Sequence, residues 1–197
     1  MTPRLYLDRP LARALLRYFH ELETRLELRK PVTAYLAGGI AADLYTAARP
    51  TGSIDAEFDQ RIVVPQDLIV PVQGGEGKIK AVYLDTRYNP MFSLLHEDYR
   101  VDAVSVLAAP NEAGLTLKAL SPLDLAVSKV ARFQGNDRED IAALAQAGLV
   151  RTDEIERRAN EALAGYIGSP ASIRVNLRDA LDIVREIEQH SCAEHRG

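Results

Sequence analysis

Between Leu11 and Leu28 the apolar residues Leu11, Leu15, Phe19, Leu22 and Leu26 recur every three or four positions, the period of an amphipathic helix. Lys30-Pro31 ends it, because a residue before proline is pushed out of the helical region. The mostly apolar run Val32–Ala37, with β-branched and aromatic members, predicts a strand that feeds directly into Gly38-Gly39 and a short helix over Ile40–Ala48. After the breaker-rich loop Arg49-Pro50-Thr51-Gly52, Ile54–Val64 reads as extended. From Pro65 to Tyr88 short apolar stretches alternate with prolines and the Gly74-Gly75-Glu76-Gly77 cluster, which predicts strands around a tip. Tyr99–Leu107 alternates toward a buried strand. Ser121-Pro122 then opens a helix to about Phe133, with Ser121 as N-cap, Pro122 at the first helical position and Asp124 in the acidic first turn. Past the break at Gln134-Gly135-Asn136, helical patterns cover Asp137–Ala147, Asp153–Tyr166 and Ala171–Gln189. The expected class is α+β, with a small mixed sheet and its flanking helices in residues 1–120 and a mainly helical part in 121–197.

Composition narrows the class without choosing a function. A chain of 197 residues suits one compact catalytic unit, and 47% hydrophobic with 26% charged residues is ordinary for a globular protein. No stretch approaches the roughly 20 apolar residues of a membrane span, and Arg4, Asp8 and Arg9 interrupt the first ten residues, unlike a signal peptide. The single cysteine, Cys192, cannot form an internal disulfide. These features predict a cytoplasmic protein with no membrane partner. A net charge of −4 argues against coating nucleic acid through bulk electrostatics, while leaving room for a local basic patch.

The chemistry concentrates in Ala37-Gly38-Gly39 and, one helix later, Ser53-Ile54-Asp55-Ala56-Glu57-Phe58. On a strand, residues two apart share a face about 6.5–7 Å apart, so Asp55 and Glu57 can aim at one point. Two hard carboxylates suit magnesium, or manganese, which leaves positions open for substrate phosphates. The glycine pair complements them, since a backbone without side chains can approach a phosphate and the following helix offers unpaired N–H groups. Arg100-Val101-Asp102-Ala103-Val104 places a further acid, Asp102, in an apolar β-branched run, where a charge is costly unless paired or ligating. Asp98 is the fallback.

In this order and spacing the chain resembles the nucleotidyltransferase superfamily with the polymerase-β-like minimal fold, whose signature is a Gly-Gly or Gly-Ser turn, a helix and Asp-x-Asp or Asp-x-Glu. Within it the chain is most similar to bacterial AbiEii-like toxins and uncharacterised nucleotidyltransferase domain families. The shared motifs extend to Ser121-Pro122-Leu123-Asp124-Leu125, Lys129 and Asn136-Asp137-Arg138-Glu139-Asp140-Ile141. Arg49 and Thr51 stand two positions earlier than the family pattern unless Ser53 takes the threonine place, and Asn136 replaces its lysine. The likeness spans roughly residues 32–149. It implies a sheet of nucleotidyltransferase type, transfer of a nucleotide from a nucleoside triphosphate to an acceptor hydroxyl, and metal held by Asp55, Glu57 and Asp102. Gly38, Gly39, Ser53 and Lys129 would hold the phosphate chain, and Asp140 would orient or deprotonate the acceptor. A toxin-like enzyme would modify RNA, such as the end of transfer RNA, and would have an antitoxin protein partner. A small-molecule acceptor and a degenerate nucleotide-binding module are the alternatives.

By residue chemistry alone, Lys129 is a helix lysine that snorkels to solvent, and Asp137 and Asp140 share a helix face. An isolated His96 is a loop or packing residue. Arg9, Arg13 and Arg17, four apart, form a basic stripe on the first helix that could meet phosphates or an acidic partner.

Overall fold

A computed structural model describes residues 3–76, 79–110 and 113–194. The fold is α+β, a six-stranded mixed sheet with helices followed by a mainly helical region. The chain divides into two compact units, residues 1–88 with 103–120, and residues 89–102 with 121–197. The segment 89–102, expected with the sheet, thus groups with the helices.

In the first unit, α1 (Pro10–Leu26) starts on a proline that needs no N–H bond and ends where Glu27 turns left-handed. Its periodic stripe is the buried one: Leu11, Leu15, Phe19 and Leu22 are sealed together with Tyr18, each large side chain worth roughly 1.5–3 kcal/mol. Next come β1 (Val32–Ala37), α2 (Gly38–Thr46), β2 (Ser53–Phe58), β3 (Val70–Glu76), β4 (Ile79–Leu84), β5 (Val104–Leu107) and β6 (Leu115–Ala119), in the sheet order β3-β4-β2-β1-β6-β5. β1 is antiparallel to β2 and parallel to β6, and β2 is parallel to β4.

Alternation gives the sheet two faces. Val32, Ala34 and Leu36 are buried, as are Ile54, Val82, Leu115 and Leu117, and α1 packs on β3, β4 and β6. The opposite face carries Thr33, Tyr35, Ser53, Asp55, Glu57, Thr116 and Lys118, all half-buried. Arg9 of the basic stripe donates to both oxygens of buried Asp43 at 3.0 Å, while Arg13 and Arg17 are exposed. The extended segment expected to reach Val64 stops at Phe58, where Asp59 caps the β1–β2 ladder through Thr33.

The second unit holds α3 (Pro122–Val130), α4 (Gly135–Gln146), α5 (Thr152–Ala164) and α6 (Ala171–Glu194). Ser121 caps α3 as expected, accepting from the Asp124 N–H at 3.1 Å. Phe133, at φ 50, makes the break before α4, and Gln134 and Asp137 form a reciprocal capping pair. The strand expected over Tyr99–Leu107 begins only at Val104, because Tyr99–Asp102 close as turns, with Val101 and Asp102 N–H groups both bonded to the Asp98 C=O. No described helix is long and apolar enough to cross a membrane.

Candidate active site

The first unit brings together the glycine turn and the Asp-x-Glu strand. Antiparallel register pairs Ala37 with Asp55 and Tyr35 with Glu57, so both carboxylates lie on the polar face and Asp55 lies beside the start of α2. Gly38 adopts φ +64, and its absent Cβ would stand 1.9 Å from Asp55 Oδ2. The carboxylate therefore occupies the space that any other residue at 38 would need. At Gly39 a Cβ would stand 2.7 Å from an Arg49 guanidinium nitrogen and 3.1 Å from the Thr51 methyl. Arg49 and Thr51, out of step with the family spacing, nevertheless fold back onto the glycine turn. Ser53, two residues before Asp55, shares its face.

Two groups on this surface were not read from the sequence. The parallel register Ser53↔Tyr83 and Ile54↔Leu84, continued by the Asp85 N–H bond to the Ile54 C=O at 2.9 Å, sets Asp85 beside Asp55. Its signal was an acid closing the apolar run Ala81-Val82-Tyr83-Leu84, masked by the surrounding prolines and glycines. Lys118 pairs with Tyr35 across β1–β6, making a cross-strand row Glu57–Tyr35–Lys118 on the polar face.

The other sequence-derived candidates belong to the helical unit and are engaged there. Asp102 lies on an exposed bend before β5, not inside a strand, and accepts from Arg158 at 2.6 Å. Arg158 also forks onto the buried Asp124 at 2.8 and 3.0 Å, so the Ser-Pro-x-Asp-Leu acid serves an ion-pair network. Lys129, expected to snorkel or reach a triphosphate, is 5% exposed, with its ammonium 2.6 Å from Asp140 and 3.8 Å from Asp137. The reason is the turn at Phe133, which folds α4 back on α3 and closes Lys129 over its partners. Burial alone would raise the Asp137 carboxyl, but the paired Arg132 hydrogen bonds, the Gln134 N–H and the Lys129 charge outweigh it and hold it below the ordinary range. His96 accepts the Asp98 N–H at 3.1 Å and lies 3.4 Å from Glu161, an ordinary loop setting.

Among the described residues no three His, Cys, Asp or Glu side chains are gathered to hold a metal ion. Comparison of the chain with protein-family models, with curated proteins and with solved structures finds no match.

Proposed function

We propose that the chain is a metal-dependent nucleotidyltransferase that moves a nucleotide from a nucleoside triphosphate to an acceptor hydroxyl, breaking the α–β phosphoanhydride bond and releasing pyrophosphate. The observation that carries this reading is the Asp55 carboxylate seated on the bare Cα of Gly38 at the N-terminus of α2, with Glu57 on the same strand face. A carboxylate packed on a glycine turn at a helix start, with a second acid on the same strand face, sets candidate cation ligands beside backbone N–H groups suited to an anion. Two carboxylates fit magnesium, which is commonly bound through one or two of them plus substrate phosphates. When bound there, the metal neutralises phosphate charge and polarises the phosphoryl oxygen.

The protein's own groups do the rest. The glycine backbone lets the triphosphate approach, and Arg49 beside Gly39 supplies a fork for its oxygens. Lys118, on the face of Glu57, replaces Lys129 as the phosphate-binding lysine. In this reading Asp85, whose carboxylate also accepts the Arg87 backbone N–H at 2.9 Å, is the base that takes the proton of the acceptor hydroxyl, and Asp102 has no part in the site. Asp140 holds Lys129 within the helical unit. RNA, including a transfer-RNA end, is the acceptor class to test first. Purified protein is incubated with each labelled nucleoside triphosphate, magnesium and total RNA. Label on RNA that disappears in Asp55→Asn supports the reading, and label that persists in the variant removes it.

A further inference from the structure

Strand β4 stops pairing at Ile54↔Leu84, while its parallel neighbour β2 continues to Phe58. In the β1–β2 ladder Asp55, Glu57 and Asp59 turn their backbone groups toward β1, as the Asp59 N–H bond to the Thr33 C=O at 3.0 Å fixes. The backbone N–H and C=O groups of Ala56 and Phe58 therefore point the other way, into the gap that β4 leaves. Residues 60–66 and 84–88 wall this gap into a pocket of about 400 Å³, whose lining includes Phe58, Gln60, Arg61, Gln66, Asp85 and Tyr88. Asp85, the register neighbour of Asp55, is a wall of the pocket, which therefore reaches the strand edge next to Asp55, while the Ala56 and Phe58 side chains belong to the face opposite Asp55 and Glu57. A crevice beyond the carboxyl end of a parallel strand pair is also where open sheets admit ligands.

The lining selects the ligand. An extended peptide added to this edge would find only about 7 Å of strand, Ala56 to Phe58, too short for a ladder. The volume is at the small-molecule end of roughly 300–1,000 Å³. Phe58 and Tyr88 bring aromatic rings to the lining, and the strand edge and the Gln66 amide bring donors and acceptors suited to a planar rim. The Gln60 amide already donates to the Pro31 C=O. Arg61 adds a cation to the lining. We propose that this pocket receives a nucleobase, and we rest the choice of a reacting nucleotide on the transferase reading above. The base belongs either to the incoming triphosphate or to the end of a polynucleotide acceptor, which present the same planar edge.

Calorimetric titration of the full chain with the four ribonucleoside triphosphates in magnesium, with the monophosphates without it, and with short single-stranded RNA oligomers decides the matter. The wild type should prefer one base. Phe58→Leu should weaken that binding by about tenfold or more, the range of one lost base–aromatic stack. Gln66→Ala, on an exposed side chain, should flatten the preference with the melting temperature unchanged. A preference among triphosphates assigns the pocket to the incoming nucleotide, and one confined to RNA oligomers assigns it to the acceptor. If both variants keep the wild-type affinities and preference while magnesium-dependent triphosphate binding is intact, the pocket proposal falls and the transferase reading stands. If instead monophosphate binding depends on Phe58 while Asp55→Asn leaves triphosphate binding and transfer untouched, the pocket stands and the reading falls. A wild type that binds no nucleotide overturns both.

Discussion

Gly38→Ala is the substitution whose cost follows most directly from the geometry. The new methyl would stand 1.9 Å from Asp55 Oδ2 and 2.8 Å from its Cγ, at a residue with φ +64. A side chain in the left-handed region costs roughly 1–2 kcal/mol. Displacing the carboxylate, or shifting backbone to spare it, adds roughly 1–3 kcal/mol, the ordinary range for overpacking. The total of about 2–5 kcal/mol corresponds, for a chain of this length, to a melting temperature lower by about 4–20 °C. Urea denaturation of the single variants and of the double variant Gly38→Ala/Asp55→Ala separates the two terms. Asp55→Ala removes the clashing oxygen and Cγ and leaves only the Cβ of residue 55 at 3.0 Å, so Gly38→Ala in that background should cost little more than the left-handed part. The coupling between the two sites is then about 1–3 kcal/mol, well above that of independent sites. Equal costs of Gly38→Ala in both backgrounds would refute the contact on which the candidate site is built.

Arg158→Ala leaves the 1%-exposed Asp124 carboxylate without its counter-charge, held only by the Ser121 hydroxyl at 2.7 Å, and should destabilise the protein by about 3–5 kcal/mol in denaturant titrations, with Arg158→Lys failing to restore the fork. Lys129→Ala should cost a similar amount for the same reason, about 3–5 kcal/mol, yet leave calorimetric triphosphate affinity unchanged, whereas Lys118→Ala should weaken that affinity and leave stability nearly unchanged. A weaker triphosphate affinity in a folded Lys129 variant would return the phosphate contact to it. Asp137 has a folded pKa below its unfolded one, so its contribution is complete above the ordinary carboxylate range and is lost as pH falls through the folded value. Stability measured against pH should therefore drop less steeply on the acid side in Asp137→Asn than in the wild type.

Regular periodicity carried most of the fold. The stripe from Leu11 to Leu22, the strand Val32–Ala37 and the Ser121-Pro122 cap all reappear in the structure, because their spacing meets one uniform face. Tyr99–Leu107 misled over its first half for a local reason: Tyr99 and Val101 belong to a turn held by the Asp98 C=O, while Val104–Leu107 form the strand, and a turn leaves no periodic signature. Asp102 followed that error. The Gly38 and Asp55 contact was legible because glycine turn, helix and alternating acids are all local patterns. Asp85 and Lys118 were not, since strand order is a long-range property that neither residue's neighbours encode. Lys129 was misread because burial of a lysine depends on partners eight and eleven positions away being folded over it.

Asp55→Asn preserves size and hydrogen-bonding capacity while removing the charge that would hold a hard cation, so its effect on transfer reports coordination at this carboxylate. The measurement is transfer of label from nucleoside triphosphate to RNA, paired with the melting temperature of the metal-free protein. The expected result is transfer by the wild type and none by the variant, with a cooperative melting transition in both that shows the variant is folded. Undiminished transfer in Asp55→Asn, or a wild type that transfers nucleotide to no RNA, protein or small acceptor, would contradict it.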